Sequence, residues 1–185
     1  MRRRVVLLIL VLAAGGPFAL LHLGPAGAVS YASDIPAGRL IAPGVRIGPW
    51  TVAADIAGLI RALGRPLSAP PPAMFDQQPG LSGYVWAVPE GRLTAWSPDR
   101  KTVGYLEFRG SRNYQTAKLI RVGSTNADVQ AAYGVPSGRS AIPGASRYIY
   151  DALGLAVFTQ GTSVGFIVVG INVFRPGTAK NFWKF

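Results

Sequence analysis

Eight carboxylates, four lysines and, past the first 28 residues, neither imidazole nor thiol set the chemistry open to this chain. The single histidine is His22 and there is no cysteine, which excludes Ser-His-Asp triads, Cys-His dyads, nearly all zinc sites and disulfide staples. Carboxylate chemistry remains. Glycoside hydrolysis needs two acids facing each other across a substrate, and Glu107 in a strand-like stretch with Asp151 at a strand end is the pair to inspect. Asp99 falls in a turn, Asp128 near a helix start and Asp55 in a helix, the ordinary places of solvated or capping acids. Lysine could serve a serine as base, yet none of Lys101, Lys118, Lys180 and Lys184 follows a serine at the Ser-x-x-Lys spacing. Gly123-Ser124-Thr125 opens a helix without the second glycine and the lysine of a phosphate loop. The sequence predicts no catalytic residue, no metal site and no cofactor.

Recognition is the other chemistry available. Side chains alternate between the two faces of a strand, so Tyr84, Trp86 and Val88 share one face against Val85 and Ala87. Trp96 opposes Ala95, Tyr105, Glu107 and Arg109 oppose Leu106 and Phe108, and Tyr148 goes with Tyr150. If the small aliphatics pack beneath helices, then Trp86, Trp96, Tyr105, Arg109, Tyr148 and Tyr150 line an open face whose Trp/Tyr/Arg mix is that of binding hot spots. The inverse arrangement, rings in the core and aliphatics outside, satisfies the same alternation.

Positioning those residues falls to two similar stretches. Leu63-Gly64-Arg65-Pro66 and Tyr133-Gly134-Val135-Pro136 lie about 70 residues apart, each closing a short amphipathic helix and each followed by three strand-like runs, which reads as an internal duplication. In the first, Val52, Ile56, Leu59, Ile60 and Leu63 form one helical face with Thr51 as N-cap. In the second, Thr125 and Asp128 have capping-box spacing before Val129, Ala132 and Tyr133. Gly64 and Gly134 supply the left-handed stop, and the prolines forbid continuation. Strands are expected at 83–88, 92–97, 102–109, 146–151, 154–159 and 163–174. The last is nearly continuous in apolar residues, the pattern of a central strand covered on both faces. A proline-rich extended loop carrying Pro66, Pro70, Pro71, Pro72 and Pro79 separates the first helix from its strands. The expected fold is α+β: two tandem α-β-β-β units sharing an antiparallel sheet, helices on one face, with units at 43–115 and 116–185 after an extended segment at 29–42.

Residues 1–28 read as a secretory signal: Arg2, Arg3 and Arg4, an apolar run from Val5 to Ala14, and Ala26-Gly27-Ala28 as a cleavage pattern. That segment holds three of the 19 basic residues and none of the acids. The remaining 157 residues therefore keep 16 cations against eight carboxylates, a net charge of +8. A basic exported protein is drawn to anionic lipid, cell-wall polyanions or acidic proteins. The arginines are scattered singly, which argues against nucleic acid. The terminal Lys180-Asn-Phe-Trp-Lys-Phe185 resembles the closing strand of an outer-membrane barrel, but six or seven short strands are too few for one.

Ile120 to Thr125, Asp128-Val129, Tyr133 to Pro136 and Tyr150 to Phe158, with a looser echo at Asp55 to Pro66, resemble the helix, Gly-x-Pro and three-stranded meander of the BamE/SmpA family and of the tandem-repeat beta-lactamase inhibitory protein. The likeness covers most of residues 43–175 and lacks the cysteines of both. It implies a shared antiparallel sheet with helices on one face and a binding surface on the other. The reading is of an exported, periplasmic or secreted, non-enzymatic binding or envelope-assembly module. Its partner would be a protein, an anionic envelope component or a second copy, with no nucleic acid and at most peripheral membrane contact. The alternative is a carboxylate-dependent hydrolase of cell-wall or polysaccharide material.

Overall fold

The computed structural model describes residues 35–67, 76–162 and 165–185. The expected leader at 1–28, the first part of the segment at 29–42 and Pro70, Pro71 and Pro72 lie outside them.

Three short strands come first, β1 (Leu40–Ala42), β2 (Arg46–Ile47) and β3 (Trp50–Thr51), then α1 (Ile56–Leu63). The meander β4 (Ser82–Val88), β5 (Gly91–Ser97) and β6 (Tyr105–Gly110) follows, then β7 (Gln115–Thr116) and α2 (Asn126–Tyr133). The chain ends with β8 (Gly138–Ile142), β9 (Ala145–Tyr150), β10 (Leu155–Thr162) and β11 (Gly165–Phe174). Seven strands form one antiparallel sheet in the order β4-β5-β6-β11-β10-β9-β8, and β3-β2-β1-β7 form a second, smaller sheet. The protein is thus α+β, and β11 is central, as its continuous apolar sequence demands.

The caps show why the helices sit where they do. Thr125 is the N-cap of α2 in a full capping box with Asp128, as its spacing predicts. The N-cap of α1 is Asp55, whose carboxylate accepts from the Gly58 amide, and not Thr51, which pairs in β3 with Arg46. Asp outranks Thr at N-caps, and Val52 is buried outside the helix, so the apolar spacing that included it overran the start by one turn.

Both helices end alike. The Gly64 amide donates to Ile60 O and the Gly134 amide to Gln130 O, each glycine at a positive φ (79° and 78°) that a side chain would resist. Trp86 Nε1 of β4 donates to Gly64 O at 2.9 Å, and Tyr150 Oη of β9 donates to Gly134 O at 3.3 Å. Three residues past each glycine, Leu67 N donates to Val85 O and Ser137 N to Ile149 O, both at 2.8 Å.

Packing explains the rest. Ile56 and Leu59 of α1 and Val129 of α2 join one buried cluster with Leu93, Leu106, Phe108, Val157 and Ile171 of the large sheet and Ile41 and Ile47 of the small one. On the opposite side, Trp96, Tyr105, Ile149 and Phe174 pack against Ala179, Phe182 and Trp183 of the C-terminal segment. The segment is tied down by backbone bonds from Gln78 N to Phe182 O and from Lys184 N to Asp76 O. Both faces of the sheet are therefore covered over much of their area. Among the described residues no helix is long and apolar enough to cross a membrane.

A candidate anion-binding surface

The six residues expected on one open face separate. Trp86, Tyr148 and Tyr150 are buried in the cluster that holds the helices, while Trp96 and Tyr105 are buried on the opposite side, stacked at 5.9 Å beneath the C-terminal segment. Arg109 is one-quarter exposed, paired with Glu107 and lying 4.9 Å from the Phe158 ring. This corrects the expectation of an open aromatic face. The polar tips of Trp86 and Tyr150 satisfy helix-terminal carbonyls, so their rings must lie inside; Tyr105 receives the Gln77 amide, and its burial pushes its phenol pKa well above the usual value.

Beneath the C-terminal side runs a buried polar row. Thr94, Glu107 and Asn172 are register partners across β5, β6 and β11, all buried. Beside them Arg147 of β9, fully buried, pairs with Asp76 and lies 5.5 Å from Phe158 and 5.0 Å from Trp183. Desolvation pulls the Arg147 pKa down. The pair suggested for hydrolysis does not converge: Glu107 is on β6 and Asp151 at the end of β9, three strand spacings apart, roughly 14 Å of backbone. Asp151 Oδ1 accepts the Ala179 amide at 3.0 Å.

The same holds for every described side-chain carboxylate: each has a structural task. Asp55 and Asp128 cap helices, and Asp76 pairs with Arg147 and accepts Ser140 Oγ. Glu90 binds Arg39, Ser111 and Asn113, and Glu107 binds Arg109. Asp99 accepts from Ser97, Lys101 and Thr102, which holds its pKa far below the usual range, the Thr102 amide foremost.

The cations are left over, and three of them meet. A depression of about 550 Å³ is bordered by Arg112, Lys118, Arg121, Ser124 and Asp128. Its walls are the turn after β6 and the loop from β7 into α2. That loop is pinned to β11 by Gly123 N to Val168 O and Val168 N to Ser124 O, both 2.8 Å. Gly123 sits at φ 90°, where a side chain would be strained, and the Arg112 guanidinium lies over it: a Cβ there would meet Nε at 2.8 Å. Lys118 donates to Ala132 O at the end of α2 and lies 5.1 Å from the Tyr133 ring. Asp128, the one acid at the rim, accepts from the Thr125 amide at 2.8 Å, which lowers its pKa. Arg112 and Arg121 make no ion pair among the described residues. Such an arrangement of cations can bind phosphate, sulfate or carboxylate groups electrostatically. Single scattered arginines gave no sequence signal for it, because 112, 118 and 121 meet only through a turn and a loop. A second depression, of about 380 Å³ beside Thr102, Gly104 and Phe182, carries one cation, Arg175.

No known family model and no curated protein matches the chain. Among solved structures it is similar to a DUF4309 family protein of Bacillus subtilis, at 15% identity and TM-score 0.47, covering 71% of this chain and 88% of that one. It is also similar to a cysteine-rich secretory protein of Staphylococcus aureus, at 12% identity and TM-score 0.45, covering 75% of this chain; the match spans about half, 49%, of that protein's length.

Proposed function

We propose that this protein is an exported, non-enzymatic binding module that engages an anionic component of the cell envelope through its basic surface, periplasmic or secreted. The observation that carries the reading is the imbalance of charge. The described carboxylates are spent on caps, turns and internal pairs, whereas Arg112, Lys118 and Arg121 converge on one solvent-facing depression. Electrostatic attraction of this kind needs no catalytic group and is set by net charge and salt.

The scaffold is read as two α-β-β-β units, with helices on one face. Support comes from the matched ends of α1 and α2, each capped by a glycine whose carbonyl is held by an aromatic residue of a following strand. The adjacency of β6 and β11 at the centre of the sheet supports it too.

The test is retention of the protein, as recovered from its producing cell, on immobilised dextran sulfate against uncharged dextran. Retention on the sulfated matrix that falls steeply with salt, and that drops in Arg112→Gln/Arg121→Gln, is expected. Equal retention of the parent and the double variant would sink this surface as the binding site.

A further inference from the structure

Between β7 and α2, residues 115–121 form a tight knuckle. Leu119 N donates to Thr116 O at 2.8 Å, Thr116 N donates to Ile120 O at 2.9 Å, and Gln115 is bridged to Arg121. A hairpin turn closed by this pair of bonds forces the residue before the return strand into the left-handed region, where glycine is the residue expected. Leu119 is there instead, at φ 63°. Glu90 and Arg100 are the other non-glycine residues at positive φ among the described residues, and both are charged. Leu119 is also 40% exposed. A single exposed leucine ordinarily needs no account. One held exposed in a conformation that its side chain disfavours is different, because glycine at this position would relieve the backbone and remove the apolar surface together.

The neighbours of Leu119 give its chemistry. Arg112, Lys118 and Arg121 border the same depression, so an apolar knob stands among three cations, the one acid on the rim being Asp128, which caps α2. Thr116, whose backbone and hydroxyl hold the knuckle, is fully buried, and the Lys118 ammonium is fixed to the end of α2, so the knob rides on a rigid base.

We propose that this knuckle is a membrane-docking surface: Leu119 enters the headgroup and acyl boundary of an anionic bilayer while Arg112, Lys118 and Arg121 engage lipid phosphates. The inference rests on the anion-binding reading above and narrows it to one partner. A hydrated polyanion would use the cations and gain nothing from the leucine. A lipid surface uses both, since basic residues near an anionic leaflet and an inserted apolar side chain each add to partition.

The experiment is co-sedimentation of the protein, as recovered from its producing cell, with vesicles of 30% phosphatidylglycerol in phosphatidylcholine and with pure phosphatidylcholine vesicles. The excess partition on the anionic vesicles is the readout. Each of Arg112→Gln and Arg121→Gln is expected to lower that excess by about fivefold. Leu119→Gly is expected to lower it by about three- to tenfold while its urea midpoint stays level or rises, a combination that a merely structural role does not produce. Unchanged partition of Leu119→Gly would overturn the proposal, as would binding to dextran sulfate with no preference for anionic vesicles. The second outcome leaves the anion-binding reading standing, whereas failure to bind either probe overturns both.

Discussion

Trp86 and Tyr150 perform one task at two places: each reaches from a strand of the large sheet to the carbonyl of the glycine that ends a helix, Gly64 at 2.9 Å and Gly134 at 3.3 Å. A helix leaves its last carbonyls without partners, and a buried end needs a donor. Tyr150→Phe keeps the ring and removes only the donor, so it is expected to lower stability by about 1–2 kcal/mol, while Trp86→Phe also shrinks a buried indole to a phenyl ring and is expected to cost more. Unchanged urea midpoints in both would mean that water already serves those carbonyls.

Across the central β6–β11 pair, Asn172 faces Glu107, and both polar atoms of the Asn172 side chain and Glu107 Oε2 are buried without a hydrogen-bond partner. An unsatisfied buried polar group costs about 1–3 kcal/mol. Asn172→Leu, similar in size and free of that cost, is expected to raise stability by about that amount. A loss of stability on equilibrium unfolding would contradict the assignment.

Asp76 and Arg147 form a buried pair that joins the later part of the proline-rich loop to β9. Removing one charge strands the other in the interior, so Asp76→Ala or Arg147→Met alone is expected to cost about 3–5 kcal/mol. The double variant should cost less than the sum of the two. Additivity in a double-mutant cycle would show that the charges do not stabilise each other.

Caps separate the helix that the sequence read correctly from the one it read a turn early. Asp55→Ala and Thr125→Ala should each cost about 1 kcal/mol, and Thr51→Ala much less. Thermal midpoints of the three variants decide the order.

Titration should bound stability on both sides. Hydrogen bonds lower the folded pKa of Asp99 and Asp128, so what they contribute is full above about pH 4, their unfolded range, and is lost as pH falls through the lower folded values. Burial raises the folded pKa of Tyr105, Tyr133 and Tyr150, so their contribution is full below about pH 10 and is lost as pH rises through the higher folded values. Unfolding midpoints should therefore plateau between. Tyr105→Phe should flatten the alkaline limb and Asp128→Asn the acid limb; parallel limbs in the variants and the parent would reject these assignments.

Much of this architecture is local and could be read along the chain. Gly64 with Pro66 and Gly134 with Pro136 stop their helices because the stop depends only on neighbouring backbone, and Thr125 with Asp128 caps α2 for the same reason. The six strands of the two meanders follow from alternation, and the central place of β11 follows from its unbroken apolar run. Which face of each strand points inward was not legible, since alternation divides a strand into two sets without saying what covers either. Residues of the C-terminal segment join one buried cluster and residues of α1 and α2 join the other, so Trp96 and Tyr105 become core as surely as Trp86 and Tyr150. The residues from Ile41 to Trp50 read as a loop carrying one short strand, but the edge strand β8 and the pairing that makes the small sheet were not legible, because strands of two to five residues carry too little periodicity. The meeting of Arg112, Lys118 and Arg121 around Leu119 belongs wholly to the tertiary structure: a loop pinned to β11 and a left-handed turn bring together cations that stand apart in sequence.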